Sequence, residues 1–484
     1  MTGDAIVIGA GVNGLVAAAY LARAGRRVTV LEGRHAAGGA CASTTMGGNA
    51  KAPGLAHAVY ALDPALVREL GLVRHGLAFA ARDLPLVGLR PDGKHLVISR
   101  DLRATEHNLA LQSRADAKIW RSYREGLFGF ARAMRAQWWN DRRTTAEDAL
   151  ARISRQGTGP FLDSWFESEG LKATLAFDAS AASPLAAGSA LLLAWRVAQE
   201  MGGLQGATAI LRGGSGALID ALLAAIRVAG VSLRLGGKAT EILVERGRVC
   251  GVRLASGETL SAPLVLSSLD RRATLVELAR GECLGLEEWS RLANEKPRVA
   301  SAKIHFLLGG MPKFSGIAVP TVSRFVLAER WQTYAASHAA ARLNAMVPEV
   351  TCEFLLPTVA DNSLAPEGLH IMSVLVRPLP LSPLQGWPQL KADLAARVIT
   401  MAERVMPGVA RLVRDVRVST PDQMGESDCR DATVRRLLAS WNTRISTPIA
   451  GLYLCGASAE PASAVSGRAA RIAAQAALRD GELR

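Results

Sequence analysis

The feature that most constrains the fold of this chain is a glycine-rich turn near its first residue. A short apolar run, Ala5 to Ile8, leads directly into the G-x-G-x-x-G spacing of Gly9, Gly11 and Gly14, and an apolar helical pattern follows. In this spacing the first glycine permits a tight turn, the second leaves room for a pyrophosphate, and the third lets the helix pack closely on the strand. The segment therefore predicts a strand-turn-helix unit whose helix N-terminus faces the phosphates of a dinucleotide.

The residues after this unit indicate which dinucleotide binds. A second apolar strand ends at Glu32, where a carboxylate accepts hydrogen bonds from ribose hydroxyls, and the pair Gly38-Gly39 follows. Flavoenzymes show such a doublet here, whereas NAD dehydrogenases as a rule do not. The sequence predicts FAD, with Arg34 offsetting phosphate charge. Nothing in the chain marks a covalent attachment, so we expect non-covalent FAD; an ordinary turn without ligand is the alternative.

Length and element order predict an α/β fold with two domains. The chain has 484 residues, more than a single hydrophobic core usually organises. After a helical stretch, a strand, a hairpin and a buried strand at Leu264 to Ser268 return the chain to the nucleotide domain, which makes that domain discontinuous. We predict a Rossmann-like FAD-binding domain from residues 1–85, 206–293 and 421–484, and an α+β substrate domain from residues 86–205 and 294–420.

The charge and the cysteines of the chain limit the kinds of partner and of chemistry that we expect. The net charge of +14 is carried mostly by dispersed arginines, which disfavours nucleic acid and favours an anionic membrane surface as a peripheral contact. The six cysteines are scattered without a C-x-x-C pair, so dithiol relay chemistry and structural zinc are disfavoured. No signal peptide precedes the first strand and no spanning segment is evident, so we expect a cytoplasmic protein, either free or membrane-associated. The oligomeric state is not indicated.

The C-terminal part predicts a second contact with the cofactor. A buried strand ends at Gly456, and Val465-Ser466-Gly467 begins a helix. A strand end beside a helix N-terminus suits the flavin end of FAD. A plain αβ closure of the sheet is the alternative.

Taken in order, these blocks resemble one known family. The glycine turn, the doublet, the RGGSGAL segment beginning at Arg212, the hairpin GKATEILVERGRVCGVRL and the GLYLCG strand are similar to the phytoene-desaturase-related FAD oxidoreductases. The segment Arg74 to Leu77 and the turn Pro91-Asp92-Gly93 look closest to the branch labelled pyridine nucleotide-disulphide oxidoreductase domain-containing protein 2. The resemblance implies the amine-oxidase or phytoene-desaturase type of fold. The disulphide in that label has no cysteine pair to support it here.

One loop departs from the family pattern. Where the family usually reads G-x-x-x-H-P-G-G-G-V, this chain has Glu460 in place of the histidine and Ala462, Ser463 and Ala464 in place of the glycines. We expect altered flavin geometry or substrate choice, with Glu460 lowering the flavin reduction potential if it lies near the ring. Neutral drift, with small residues simply tolerated, is the alternative, as is a loop that points to solvent.

Three side chains, those of Lys303, His57 and Tyr60, are catalytic candidates. Alternation places Lys303 and His305 on one face of a strand, and amine-oxidase relatives place a lysine near flavin N5; a solvated strand face is the other interpretation. His57 and Tyr60 follow the doublet and would face the flavin or serve packing. No metal-ligand spacing occurs among the histidines. The expected FAD contacts are Gly9, Gly11, Asn13, Gly14, Glu32, Gly33, Arg34, Gly38, Gly39, Ala40, Ala239, Gly456, Ala457, Val465, Ser466 and Gly467.

The leading hypothesis is an FAD-dependent dehydrogenase or desaturase that takes hydride from a hydrophobic small molecule to flavin N5. The substrate domain holds Trp138, Trp139, Trp165, Trp195, Phe306 and Phe325 among aliphatic residues, which would suit an apolar pocket although core packing explains each of them as well. One alternative is an oxygen-using amine or alcohol oxidase, with His57 or His305 as its base. The other is a flavin-bound interaction protein with decayed catalysis.

Overall fold

The computed structural model describes residues 3–140, 153–294, 299–317, 323–424, 445–460 and 464–482. Two large sheets organise these residues, and helices cover them. In chain order the strands are β1 (Ala5–Ile8), β2 (Val28–Glu32), β3 (Thr44–Thr45), β4 (Lys51–Ala52), β5 (Phe79–Ala81), β6 (Leu86–Gly88), β7 (Leu96–Ile98), β8 (Glu200–Met201), β9 (Leu204–Gln205), β10 (Ile210–Leu211), β11 (Ser232–Leu235), β12 (Ala239–Glu245), β13 (Arg248–Leu254), β14 (Thr259–Ser261), β15 (Val265–Ser267), β16 (Val299–Leu308), β17 (Arg324–Leu327), β18 (Cys352–Leu355), β19 (His370–Pro380), β20 (Val413–Ser419) and β21 (Leu452–Leu454).

The helices are distributed along the whole chain. The α-helices span Val12–Arg23, Pro64–Glu69, Leu102–Ala110, Arg114–Asn140, Thr158–Asp163, Glu169–Ala176, Leu191–Ala198, Gly216–Val228, Leu286–Asn294, Trp331–Arg342, Pro357–Ala360, Trp387–Glu403, Val409–Leu412, Pro421–Met424 and Arg468–Glu482. A π-helical segment occupies Ala273–Leu278, and 3-10 turns lie at Gly39–Cys41, Gly47–Asn49, Phe177–Ala179, Asn362–Leu364 and Ala457–Ala459. Within the described part of the chain, no helix is both long enough and apolar enough to cross a bilayer.

The smaller of the two sheets is parallel and has the strand order β11-β2-β1-β15-β21. Its central strand β1 is buried along its whole length, with Ala5 and Val7 facing one core and Ile6 and Ile8 facing another. A strand covered on both faces needs such a continuous apolar run. Helices Val12–Arg23, Gly216–Val228 and Arg468–Glu482 cover the first face. The antiparallel sheet β12-β13-β14 packs on the second.

The larger sheet is mixed and has the order β20-β16-β19-β18-β17-β6-β7. One of its faces is apolar, carries Ile304 and Phe306, and packs against the helix Trp387–Glu403. The opposite face looks toward the helices between residues 158 and 198 and toward the nucleotide-binding part. This second face carries the charged side chains described below.

The architecture confirms the predicted α/β fold class with a parallel nucleotide-type sheet. All strands of the seven-stranded sheet fall within residues 86–205 and 294–420, and those of the five-stranded sheet fall in the other segments. The exact domain boundaries stay a prediction. The alternation predicted for β16 is present, because Lys303 and His305 share one face. The solvated-face interpretation is wrong: Lys303 is 0% exposed, since both faces of this sheet are covered.

Candidate active site

The three positions of the glycine turn are glycine for two different reasons. Gly9 has φ +94°, a left-handed conformation, and a Cβ at Gly14 would overlap the Gly9 carbonyl oxygen, so the protein itself requires both glycines. Gly11 differs, because its φ of −75° suits any residue. A Cβ at Gly11 would come no closer than 3.9 Å to another described protein atom, the Cα of Gly39. The space beside Gly11 is therefore not used by the described protein, as expected of a cradle for a pyrophosphate.

Glu32 and the glycine doublet form one frame with this turn. The Glu32 carboxylate accepts hydrogen bonds from the backbone N–H of Ala10 at 2.8 Å and of Arg34 at 2.9 Å. Gly38 forms a parallel bridge with Gly11, and its N–H donates to the Ala10 carbonyl at 2.9 Å. The turn, the ribose carboxylate and the doublet are thus brought together, and the carboxylate keeps further lone pairs for ribose hydroxyls.

Three other predicted contacts lie beside this frame. The side-chain oxygen of Asn13 is buried and has no hydrogen-bond partner in the part of the chain that the structure describes, which suits a polar ligand above the first helical turn. At the opposite end of the frame, a Cβ at Gly33 would lie 3.4 Å from the side chain of Lys238, the residue that precedes Ala239 at the start of β12. Gly33 therefore lies beside the start of β12, where Ala239 is located.

The C-terminal strand end has a packing role in addition to any cofactor role. A Cβ at Gly456 would overlap the carbonyl oxygen of Ser268, and Gly467 has φ +70°. Ala457 starts a 3-10 turn beyond β21, and Val465 packs partly buried against the core of the nucleotide-binding part. Ser466 is buried, and its hydroxyl donates to Glu460. The predicted contacts at this end lie together, and contact with the flavin stays a prediction.

Glu460 is buried, so the alternative in which this part of the loop points to solvent is wrong for its side chain. Its side chain is buried, and its carboxylate accepts hydrogen bonds from the Ser466 hydroxyl and from the backbone N–H of Ala469 at 3.1 Å. It therefore caps the helix Arg468–Glu482. Burial raises the pKa of Glu460, against the opposing effect of Ser466 and Ala469. Ala462 and Ser463 lie outside the described residues, so the predicted effect of the missing glycines rests on the sequence alone.

One segment connects the doublet with the C-terminal helix. The N–H of Ala56 donates to the carbonyl of Ala40 at 3.0 Å, and the N–H of Asp63 donates to the carbonyl of Ser466 at 3.0 Å. The intervening chain carries His57 and Tyr60. Both predicted candidates consequently lie between the pyrophosphate frame and the C-terminal helix, on the side that faces the seven-stranded sheet.

The sheet meets His57 with a polar face. The register places Lys303 of β16 opposite Leu375 of β19, and Leu375 opposite Glu353 of β18, so the three share a face. His305 lies opposite Ser373 on the same face. All the polar members are buried, and neither the Lys303 Nζ nor the His305 Nδ1 has a hydrogen-bond partner among the residues described. An unpartnered buried amine is costly, which makes this face a candidate for binding a further group.

A chain of alternating charges runs through this face and ends at His57. Arg324 donates from Nε to Glu353 at 2.8 Å and from Nη1 to Asp178 at 3.3 Å, and Arg196 lies 4.0 Å from Asp178. Glu353 accepts in turn from His57 Nε2 at 2.9 Å. Two arginines thus balance two carboxylates, which is the condition under which buried charges are tolerated.

The electrostatics assign protonation states. Burial would raise the pKa of Glu353, but Arg324 and His57 hold it low, so it is a carboxylate. Burial, reinforced by Lys303, lowers the pKa of His57 to about 4. The neutral imidazole must therefore donate from Nε2 to Glu353, which leaves Nδ1 as an acceptor 3.4 Å from the Ser373 hydroxyl. Burial also holds the pKa of Lys303 well below its ordinary range.

Sequence reasoning missed four members of the charge chain. Arg324 and Glu353 sit within otherwise apolar strands, Arg324-Phe325-Val326-Leu327 and Cys352-Glu353-Phe354-Leu355, and a charge inside such a run was the available signal. Asp178 and Arg196 lie in helical segments without a comparable pattern. In the described part of the chain, no three potential ligand side chains converge as a metal site requires.

The nucleotide-binding frame lies beside a buried polar face, an arrangement that suits a flavin-dependent oxidoreductase. The family model of the flavin containing amine oxidoreductases matches residues 13–278, and the chain belongs to this family. Its cofactor is FAD. The glycines at the turn and the free space beside Gly11 fit this group.

Two proteins with similar sequences indicate which members of this family the chain resembles. The chain is 28% identical to pyridine nucleotide-disulfide oxidoreductase domain-containing protein 2 of Rattus norvegicus, over 99% of this chain and 93% of that protein. It is 24% identical to the neurosporene-forming phytoene desaturase of Cereibacter sphaeroides, over 96% and 92% of the two chains. Both confirm the predicted resemblance. The five described cysteines are free thiols.

A solved structure shows the same fold at low identity. Cyclohexylamine oxidase from Brevibacterium oxydans superposes with a TM-score of 0.61 at 16% identity, over 100% of both chains.

Proposed function

We propose that this protein is an FAD-dependent dehydrogenase or desaturase that takes hydride from a hydrophobic small molecule to flavin N5. In this proposal residues 1–85, 206–293 and 421–484 bind FAD, and residues 86–205 and 294–420 form the substrate side. The observation that carries the proposal is the buried face of Lys303, His305 and Glu353, which meets His57 beside the cofactor frame. Bound FAD supplies the hydride acceptor.

The residues of the chain have three tasks. The space beside Gly11 would hold the pyrophosphate, Glu32 would accept hydrogen bonds from the ribose hydroxyls, and the C-terminal helix would contact the flavin end. The buried setting of the polar face excludes water from the reacting side. His57 presents Nδ1 as a proton acceptor, oriented through its Nε2–H by Glu353 and Arg324.

The surroundings of this face favour an apolar substrate. Tyr60 packs edge-on against Trp195 with ring centroids 6.1 Å apart, and the Arg196 guanidinium lies 4.3 Å from the centre of the Tyr60 ring. Tyr60 and Trp195 thus join the nucleotide-binding part to the helical layer through an aromatic contact. A long apolar molecule would contact such surfaces, and a phytoene desaturase is among the relatives.

The proposal is tested by anaerobic titration of the yellow protein with candidate hydrophobic substrates. Bleaching of the flavin absorbance is expected for a substrate. His57→Gln, which keeps a donor toward Glu353 and removes the basic Nδ1, should keep FAD content while slowing bleaching by at least roughly 10-fold. His107→Gln, on an exposed histidine outside the polar face, is the matched control and should bleach at the normal rate. Full FAD occupancy without bleaching by any substrate would instead support a flavin-bound interaction protein.

A second candidate is an oxygen-using amine or alcohol oxidase. The unpartnered Lys303 amine favours it, because amine-oxidase relatives use a lysine in flavin reoxidation, and cyclohexylamine oxidase shares the fold. The two functions differ in what reoxidises the reduced protein. Release of one peroxide per bleaching cycle in air would identify an oxidase, whereas slow reoxidation by oxygen and fast reoxidation by a quinone would identify a dehydrogenase.

A further inference from the structure

A cavity lies on the outer surface of the nucleotide-binding part, between the end of the first helix, the helix Pro64–Glu69 and the hairpin β8-β9. Its volume is about 930 Å³. The side chains that give it its character are apolar, among them Leu62, Val67, Leu70, Phe79 and Met201. This volume lies at the upper end of the range for small-molecule sites, and apolar walls suit a hydrocarbon chain.

The rim of this cavity is basic. Arg23, Arg68 and Arg74 line it, and all three are exposed. Within the described part of the chain, neither Arg68 nor Arg74 forms an ion pair. Glu69 is the acid among the lining residues, and its carboxylate accepts a hydrogen bond from the Tyr20 hydroxyl at 2.5 Å. Arg23 donates to the Glu69 carbonyl, so the guanidinium groups of Arg68 and Arg74 are the ones available to an anionic group outside the cavity.

Apolar side chains also project at the mouth of the cavity. Val73 lines it and is 68% exposed, and Leu204 is exposed in the hairpin whose tip glycines line the opposite edge. Exposed aliphatic residues set among arginines are the pattern of a surface that rests in the headgroup region of a bilayer. A dissolved amphiphile would bind in the cavity and to its basic rim, but Val73 and Leu204 would then remain exposed to water.

We propose that this surface docks on a membrane containing anionic phospholipid, with one acyl chain entering the cavity and the headgroup phosphate held by Arg68 and Arg74. Val73 and Leu204 then enter the interface beside it. The net charge of +14 favours contact with an anionic membrane but does not indicate which surface makes it. The proposal assigns that contact to the surface around this cavity. It does not depend on the proposed reaction.

The test is co-sedimentation of the full-length FAD-loaded protein with vesicles of phosphatidylcholine, with or without phosphatidylglycerol. Binding is expected only with phosphatidylglycerol. The double variant Arg68→Glu/Arg74→Glu should weaken partitioning roughly 30-fold, the effect of two arginines near an anionic surface. Its matched control is Arg103→Glu/Arg227→Glu, which changes the net charge equally on two exposed arginines outside the cavity and should bind nearly as the parent does.

A second pair of variants separates the cavity from simple charge attraction. Val73→Asp should weaken binding, whereas Val228→Asp, at a site that is 80% exposed outside the cavity, should not. Retained flavin absorbance verifies that each variant is folded. Equal loss in the Arg68/Arg74 and control charge variants, or no effect of Val73→Asp, would overturn the proposal. So would saturable binding of monomeric dodecyl phosphate by protein that ignores the vesicles, because the occupant would then be a dissolved amphiphile.

Discussion

At the end of β1, the five-stranded sheet presents a site made of backbone. Gly9, Gly11 and Gly38 contribute backbone conformation and N–H groups. One side chain, that of Glu32, accepts a hydrogen bond from the backbone of this turn. The seven-stranded sheet presents a site made of side chains. There Arg324 and Glu353 are buried, and their bonding partners come from segments as far as 296 residues away in the chain.

The difference between the two regions concerns how each can fail. A backbone site fails when a side chain is added, because its function is to leave space. A buried charge chain fails when a side chain is removed, because each removed charge leaves its partner uncompensated. Substitutions of opposite kinds therefore test the two regions: an added side chain for the turn and a removed side chain for the charge chain.

The largest contrast lies within the glycine turn. Gly14→Ala places a Cβ on the Gly9 carbonyl oxygen, so we expect failure to fold or a loss of several kcal/mol. Gly11→Val should fold, because the described protein leaves that space free, and it should lose FAD. Circular dichroism and flavin absorbance of the purified variants check both. A Gly11→Val protein with full flavin occupancy would show that this turn is not the pyrophosphate site.

The next effect should come from the charge chain. Glu353→Ala leaves Arg324 and Arg196 with Asp178 as the one carboxylate of the charge chain to balance them in a buried setting, and we expect a loss of about 3–5 kcal/mol in the free energy of unfolding. The control is Glu329→Ala, whose ion pair with Arg404 is about half exposed and should contribute less than about 1 kcal/mol. Urea unfolding measures both. Equal losses would mean that the Glu353 pairing is no more important than a surface pair.

The pKa of His57 predicts a stability effect in acid. An unfolded histidine titrates near 6.5, whereas the folded-state pKa is about 4, so the unfolded state takes up the proton first as pH falls. The stabilisation is complete above pH 6.5 and is lost toward pH 4, by about 2 kcal/mol between pH 7 and pH 5. His57→Gln keeps a donor toward Glu353 without a titration. Its urea stability should therefore fall less over that interval than that of the parent protein.

The two regions also differ in what sequence could predict. The turn, Glu32 and the doublet lie within 35 residues, Ala5 to Gly39, and their backbone requirements appear as glycines at defined spacing. The FAD-binding fold followed from that segment. For Lys303 the sequence gives only strand alternation, because its burial depends on helices and loops that pack on the sheet from elsewhere in the chain. The pairing of Arg324 with Asp178 joins residues 146 positions apart, and no local pattern encodes it.

The smallest effect concerns Glu460, which joins features of both regions. Like the charge chain it is a buried side chain, and like the turn it supports a backbone helix end, through the N–H of Ala469. Glu460→Gln keeps an acceptor and removes the charge, so FAD content should be unchanged. If the carboxylate lies about 10 Å from the flavin ring, at an effective dielectric constant of about 20, the two-electron potential should rise by on the order of 30 mV. The control Ser466→Ala removes the hydrogen bond to Glu460 without removing the charge and should leave the potential near its original value.

The effect of Glu460 on the potential should also depend on pH. Because burial raises the pKa of Glu460, the difference in potential between the parent protein and the Gln variant should be complete at high pH and disappear as acid neutralises the carboxylate. Equal potentials at high pH would place Glu460 in a purely structural role at the helix end.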